Sequence, residues 1–134
     1  MEKLFVDTDI CLDLLSGRMP HNKFAEILFT RADKEQLKLY ISALSFANID
    51  YVLRSQYTAI HSRQLLARFK TLVNVLPVNS NTIDLALASK FNDFEDAIQY
   101  SCAIENNLGI IITRNLKDYK NAKIKVMTAE MFLS

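Results

Sequence analysis

Glycine and proline are scarce in this chain, two of each in 134 residues, and cysteine is equally rare at two. So few glycines and prolines leave no room for a flexible linker or a low-complexity tract, and no segment repeats another; helices joined by short connections are the expected result. The lone Cys11 and Cys102 exclude the dense disulfide framework of a small secreted scaffold and any C-x-x-C metal pair, so a reducing, cytoplasmic setting is expected. Charge of one sign is missing too. Sixteen Lys and Arg against fifteen Asp and Glu give a net charge of +1, and any preference for a charged partner must therefore come from local clustering. No apolar run approaches the roughly 20 residues that a membrane span needs, and the opening MEKLFVDTDICLDLL carries acids inside its first apolar stretch, reading as neither a signal peptide nor a span. No membrane association is expected.

Half of the residues are apolar, enough to bury a core, and the length is close to that of a common single domain, here taken as residues 1–134. Short apolar runs at 4–6, 39–42, 74–78, 110–113 and 124–127 read as buried strands. Between them, helical spacing covers Thr8 to Leu15, Lys23 to Ala32, Ala43 to Arg54, His61 to Leu72, Thr82 to Ser89 and Asp93 to Glu105, with a last helix from Ala129 to Leu133. Strands that alternate with helices predict an α/β fold, a three-layer sandwich with a mostly parallel central sheet of about five strands, because parallel neighbours require crossover connections.

In such folds ligands gather beyond the carboxyl ends of the strands, near a switch in strand order. The first strand runs into Asp7, Thr8 and Asp9; the fourth ends at Thr113, followed by Arg114, Asn115 and Asp118; the second leads through Ser42 to a helix carrying Asn48. A further group of acids stands in NDFEDAIQYSCA, residues 92–103, where Asp93, Glu95 and Asp96 precede a buried helix. Asn92 and Glu95 have the spacing of a capping box, and acids near a helix N-terminus gain about 0.3–1 kcal/mol each from the helix dipole, so an ordinary helix start is one reading. Asp93 and Asp96, three apart, share a face. Carboxylates at the inner end of a buried helix are seldom left unpaired, which leaves a Lys or Arg, or a metal ion, as the neutralising group. With Asp7 at the same sheet edge, an all-oxygen donor set suits Mg²⁺, with Mn²⁺ as the alternative, far better than Zn²⁺. His21 and His61 lie outside these groups and read as surface residues, and Cys11 has no histidine placed to activate it as a nucleophile.

The order F-V-D-T-D-I-C-L-D-L-L, I-S-A-L-S-F-A-N-I, D-F-E-D-A-I-Q-Y and I-I-I-T-R-N-L-K-D-Y, with the tail I-K-V-M-T-A-E-M-F-L, resembles a PIN domain over nearly the whole chain, close to the VapC-type toxins of toxin-antitoxin pairs. The resemblance implies a Mg²⁺-dependent endoribonuclease whose partners are an RNA substrate and a cognate antitoxin, and which commonly forms a homodimer. Carried over by position, Asp7 matches the first acid and Asp96 the third, while Asn115 and Asp118 occupy the two places where the last acid occurs. Asn48 stands where the family usually has Glu, so activity is less firmly implied than fold, and Asp93 is the candidate to supply the missing charge.

The resulting expectation assigns Asp7, Asp96, Asp93 and Asp118 to catalysis, the same four with Asn115 to the metal, and Arg114, Thr113, Ser42 and Asn48 to substrate contact. Arg63, Arg68 and Lys70 read as a solvated face, and Tyr51, Tyr57 and Phe69 as core or interface before base stacking. Two other readings stay open: a catalytically weakened PIN module that binds RNA or a protein partner, made plausible by Asn48, and a DNA-directed nuclease with the same metal site.

Overall fold

The computed structural model describes residues 1–134. In chain order the elements are β1 (Lys3–Val6), α1 (Thr8–Leu15), α2 (Asn22–Asp33), β2 (Lys38–Ser42), α3 (Ala43–Leu53), α4 (Ala59–Lys70), β3 (Asn74–Leu76), α5 (Ser80–Ala88), α6 (Phe94–Glu105), β4 (Ile110–Ile112), β5 (Lys125–Met127) and α7 (Ala129–Leu133), with a 3₁₀ turn at Leu116–Tyr119 before β5. All four strand pairings are parallel, in the order β3-β2-β1-β4-β5. The chain builds outward from β1 through β2 to β3, then returns to the other side of β1 for β4 and β5. The order therefore switches beside β1, between β1 and β4, the place where folds of this kind gather ligands beyond the carboxyl ends of the strands.

Alternation along the strands makes the three layers. Leu4 and Val6 of β1, Leu39 and Ile41 of β2 and Ile112 of β4 face one core with α1, α2, α3 and α4, while Phe5 and Ile111 face a second core with Cys102 and Ala103 of α6. A smaller cluster of Ala86, Ala97 and Ile98 joins α5 to α6. Strands buried on both faces read as continuous apolar runs, which is why LFV, LYIS and III are legible. The run NVLPV stops early, at Leu76, because Pro77 has no N–H for the ladder.

Local sequence explains the helix ends. Gly17, at φ +62°, ends α1 in the left-handed conformation that glycine takes at no steric cost. Asn107 takes that place after α6 at φ +56°, with the N–H groups of Asn107 and Leu108 donating to the carbonyls of Ile104 and Ala103 at 3.1 and 3.0 Å. The expected Asn92–Glu95 capping pair is corrected: α6 begins one residue later, and Asp93 is the cap, its Oδ1 accepting from the Asp96 N–H at 2.9 Å. Glu95 is thereby freed for another partner. No helix is long and apolar enough to cross a membrane.

One polar group lies deep between the layers. Gln99 of α6 is fully buried; its Oε1 accepts from the Ser42 hydroxyl at 2.7 Å, and its Nε2 donates to Ser45 Oγ at 3.0 Å and Thr8 Oγ1 at 3.2 Å. Thr8 and Ser45 are themselves 2.9 Å apart. The network ties the first turn of α1, the β2–α3 junction and α6 together. Ser42, expected to meet substrate, is corrected by this geometry: it is sealed from solvent and orients Gln99. Replacing Gln99 with Leu leaves buried hydroxyls short of partners and is expected to cost about 2 kcal/mol, read as a lower urea midpoint at unchanged m-value.

Candidate metal and active site

Asp7 is placed by the strand that precedes it and the helix that follows. Its backbone N–H donates to the Ile112 carbonyl at 2.9 Å, continuing the β1–β4 ladder, and its carboxylate caps α1. Oδ1 accepts from the Thr8 N–H at 2.8 Å and Oδ2 from the Thr113 hydroxyl at 2.8 Å. Asp7 is only 7% exposed, and its pKa is raised chiefly by burial, against the lowering effect of those hydrogen bonds. Thr113 thus acts through Asp7, and its buried hydroxyl also accepts from the Asn115 N–H at 3.1 Å.

Around Asp7 the other acids gather from separate elements. Asp96, in the first turn of α6, is pushed up to about 7 by burial and by the charges of Asp7, Asp93, Asp118 and Glu95. Asp9, on α1, is pushed up to about 7 by burial and by Asp7, with Arg114 partly offsetting. Its Oδ2 accepts from Asn115 Nδ2 at 3.0 Å, while its Oδ1 is buried with no partner. Asp118 and Asn115 are exposed, and the charge of Asp118 reaches both Asp7 and Asp96. The Tyr119 hydroxyl lies sealed among these acids without a geometrically sound hydrogen bond, and burial and the charge of Asp7 raise its pKa. Asn48 donates from Nδ2 to Glu95 Oε1 at 2.7 Å across the gap between α3 and α6.

The expected cation is absent from the protein itself. The two ion pairs are Arg54 with Asp50 at 4.0 Å and Arg114 with Asp13 at 2.8 Å; neither neutralises Asp7, Asp9, Asp93, Glu95, Asp96 or Asp118. Arg114 is therefore corrected as a substrate contact. Its Nε and Nη2 donate to the two carboxylate oxygens of Asp13 at 2.8 and 3.1 Å, and Asp13 is 1% exposed, so the guanidinium fastens the loop after β4 to α1. His21 and His61 are exposed, Phe69 is core against Phe29, and Cys11 is buried with its thiol pushed well above the ordinary value.

Chemistry and spacing together define the kind of ion that fits. Every donor is a hard oxygen, the local charge is strongly negative, and Asp9 Oδ1 is orphaned, all of which suit Mg²⁺ or Mn²⁺. No three His, Cys, Asp or Glu side chains stand close enough together to hold a metal ion between them, so an ion here would rest on one or two carboxylates and its own waters.

Sequence reasoning brought Asp7, Asp96, Asp118 and Asn115 to one edge, and the structure places them there. It passed over Asp9, Glu95 and Tyr119. For Asp9 the signal was present, a second acid two residues after the strand end; for Tyr119 it was not, since the 3₁₀ turn that carries it inward has no periodicity to read.

Two measurements check this electrostatic picture. Because the folded chain holds the Asp96 proton up to about pH 7 while an ordinary aspartate releases it near 3.8, the stability that this group contributes is present below 3.8 and lost as pH rises to about 7. Without divalent ions, Asp96→Asn is expected to match wild type in melting temperature at pH 4 and exceed it at pH 8; a difference independent of pH refutes the assignment. Arg114→Ala strands a buried carboxylate and is expected to lower stability by about 3 kcal/mol in denaturant titrations, most of which Asp13→Leu combined with Arg114→Met recovers.

A model of the PIN domain family matches residues 3–117. No curated protein matches the chain in sequence. Among solved structures, a toxin-antitoxin complex from Klebsiella pneumoniae superposes with a TM-score of 0.72 at 22% identity, covering 94% of this chain and 97% of that one. DNA-bound VapBC from Salmonella typhimurium gives 0.71 at 14% identity, over 96% and 99% of the two chains. VapC20 of Mycobacterium tuberculosis, described as a Sarcin-Ricin loop cleaving toxin, gives 0.64 at 15%, over 81% and 86%. At these identities the likeness is one of fold. The family-model match spans most of the chain, with a parallel sheet switching at β1 and acids at the carboxyl ends of its strands, and the chain belongs to the PIN domain family.

Proposed function

We propose that the chain is a Mg²⁺-dependent endoribonuclease, the toxin of a toxin-antitoxin pair, which hydrolyses RNA phosphodiester bonds in the crevice beside Asp7. The observation that carries this reading is the set of acids at the β1/β4 switch, raised in pKa and left without a protein cation. Membership of the PIN family and the toxin-antitoxin proteins of like fold support it, as does the description of one of them as a Sarcin-Ricin loop cleaving toxin.

Asp7 and Asp96 would hold the ion, with Asp118, Asp9 and Asn115 reaching it directly or through water. When bound, Mg²⁺ supplies charge neutralisation at the scissile phosphate, activation of the attacking water and stabilisation of the leaving oxygen. The chain's own residues fix the geometry. Thr113 and the Thr8 N–H hold both oxygens of Asp7 in one orientation, so the carboxylate reorganises little when a charged ligand arrives. Asn115 fixes one oxygen of Asp9 and leaves the other buried without a partner. Asp96, with a pKa near 7, sheds its proton at little cost in exchange for a cation.

Phosphate contacts along the strand fall to exposed lysines and arginines such as Lys117, which give affinity without sequence specificity. A cognate antitoxin, a homodimer and a cytoplasmic location belong to the same proposal. Asn48 favours one second reading, a weakened or inactive PIN module that binds RNA or protein, because a neutral amide occupies a place where the family usually carries charge.

The test is cleavage of a structured RNA by the purified chain with Mg²⁺. Wild type is expected to cut, EDTA to abolish cutting, and Asp7→Asn and Asp96→Asn to lower the rate at least about 100-fold, the upper end of the cost of losing a partner that merely orients a ligand. Folded wild type that leaves RNA intact to the same extent as both variants refutes the enzyme and favours the binding module; cleavage of DNA in preference to RNA redirects the substrate.

A further inference from the structure

Lysine is concentrated in one segment of the chain. From the end of β4 into β5 stand Lys117, Lys120, Lys123 and Lys125, all exposed, with Asp118 as the sole acid among them. Neither ion pair involves them, so a chain whose net charge is only +1 keeps a local excess of positive charge here.

That segment forms one side of a groove of about 490 Å³ whose other sides are α5, α6 and the loop between them. Leu85 and Ile104, both exposed, give the groove apolar walls, and Lys90 and Lys123 bring cations to it. Two hydrogen bonds hold it together: Asn121 Nδ2 donates to the Lys90 carbonyl at 3.0 Å, and the Lys123 N–H to the Tyr100 hydroxyl at 3.1 Å. The backbones of both lysines are thereby fastened while their side chains stay unpaired. Phe91 stacks on Tyr100 with ring centroids 4.9 Å apart and meets Tyr119 edge-on at 5.7 Å. This row of rings connects the groove to the 3₁₀ turn that carries Asp118. The same groove lies along the face of α6 that carries Asp96, because Asp96, Tyr100 and Ile104 follow one another at four-residue steps, about 6 Å each along the axis.

Resting on the nuclease reading above, we infer that this groove docks an unpaired stretch of RNA flanking the scissile phosphate, with a base against its apolar wall and phosphates on Lys90 and Lys123. A strand drawn toward the acids meets repulsion from them, and cations a turn or two away on the same helix face offset it. Cations for the backbone beside an apolar, aromatic surface for the bases are the combination that holds single strands. A duplex keeps its base faces inside its own stack and cannot use that wall. An acidic peptide is the competing occupant, and the continuity with Asp96 decides for RNA, since only the substrate has to reach both places.

Binding is read by fluorescence anisotropy of a labelled single-stranded RNA of about 12 nucleotides in EDTA, where metal-dependent cleavage does not intervene, with folding of each full-length variant checked by circular dichroism. Lys90→Ala combined with Lys123→Ala is expected to weaken binding about 10-fold and to flatten the slope of log affinity against log salt by about 1.4, the share of two phosphate contacts. Ile104→Asp, at an exposed position, is expected to weaken binding as well, whereas Lys34→Ala combined with Lys38→Ala, exposed lysines at the amino end of β2, leaves it unchanged. Wild type without affinity for the strand, groove variants that bind as wild type does, or equal losses in groove and control variants overturn the assignment. So does a duplex that binds as tightly as the single strand. A polyglutamate peptide that binds more tightly than RNA and is lost in the same variants overturns it in favour of a protein partner. Wild type that binds through the groove yet leaves RNA intact with Mg²⁺ upholds the groove and brings down the enzyme; wild type that cuts RNA while the groove variants bind it undiminished does the reverse.

Discussion

The site depends on the burial of Gln99. A primary amide in a dry interior must satisfy both its oxygen and its nitrogen or cost the fold about 1–3 kcal/mol per unmet group, and here the partners are three hydroxyls on three different segments. Ser42 ends β2, Ser45 opens α3 and Thr8 opens α1. Satisfying one side chain therefore sets the azimuth of α6 against the sheet and both helices. Apolar packing alone tolerates small slides between layers, because dispersion contacts are non-directional; hydrogen bonds with three distinct partners do not. Asp96 precedes Gln99 by three residues and Asp7 precedes Thr8 by one, so the network that locks the layers also sets how closely these two acids approach.

That placement is electrostatically unfavourable. Asp7, Asp9 and Asp96 are all raised in pKa chiefly by desolvation, with the charge of Asp7 adding to the rise at Asp9 and Asp96 and Arg114 only partly offsetting it at Asp9. Asp13 shows the contrasting solution in the same helix: buried at 1% exposure, it takes a bidentate Arg114 and sits outside the strained group. Within α1, then, Asp13 is matched by a protein cation, while Asp9 and the capping Asp7 are not. Local unfavourability of this kind concentrates where a fold keeps a place for a ligand.

Much of this was legible in the sequence, for identifiable reasons. Strands buried on both faces leave continuous apolar runs, so the alternation of strand and helix, the parallel sheet and the edge carrying Asp7, Thr113 and Asp96 all followed from pattern. What pattern cannot convey is which partner a polar group finds. Ser42 reads as a strand-end hydroxyl near the site, and only the third dimension shows it turned inward to Gln99; Arg114 reads as a cation at the crevice, and its engagement with Asp13 spans 101 positions of sequence. The cap of α6 was displaced by one residue because Asn92 and Asp93 are both good capping residues, and spacing to an acid three positions on fits either. Tyr119 was invisible because a single 3₁₀ turn has no periodicity.

The fold itself offsets some of the negative charge, and the amount is instructive. Asp7 caps α1 and Asp93 caps α6, so the positive ends of two helix dipoles converge on the acids. Each end contributes about 0.3–1 kcal/mol to a nearby anion, and Thr113 adds a hydrogen bond to Asp7. Asp9 and Asp96 nonetheless remain near 7, so these contributions fall short of the desolvation and repulsion they oppose. A phosphodiester entering the crevice brings more negative charge to a place already carrying too much. On the proposed nuclease reading, such a substrate would bind productively only with a cation between phosphate and carboxylates, and with Arg114 engaged by Asp13 and Arg54 beside Asp50, neither of the paired arginines supplies it.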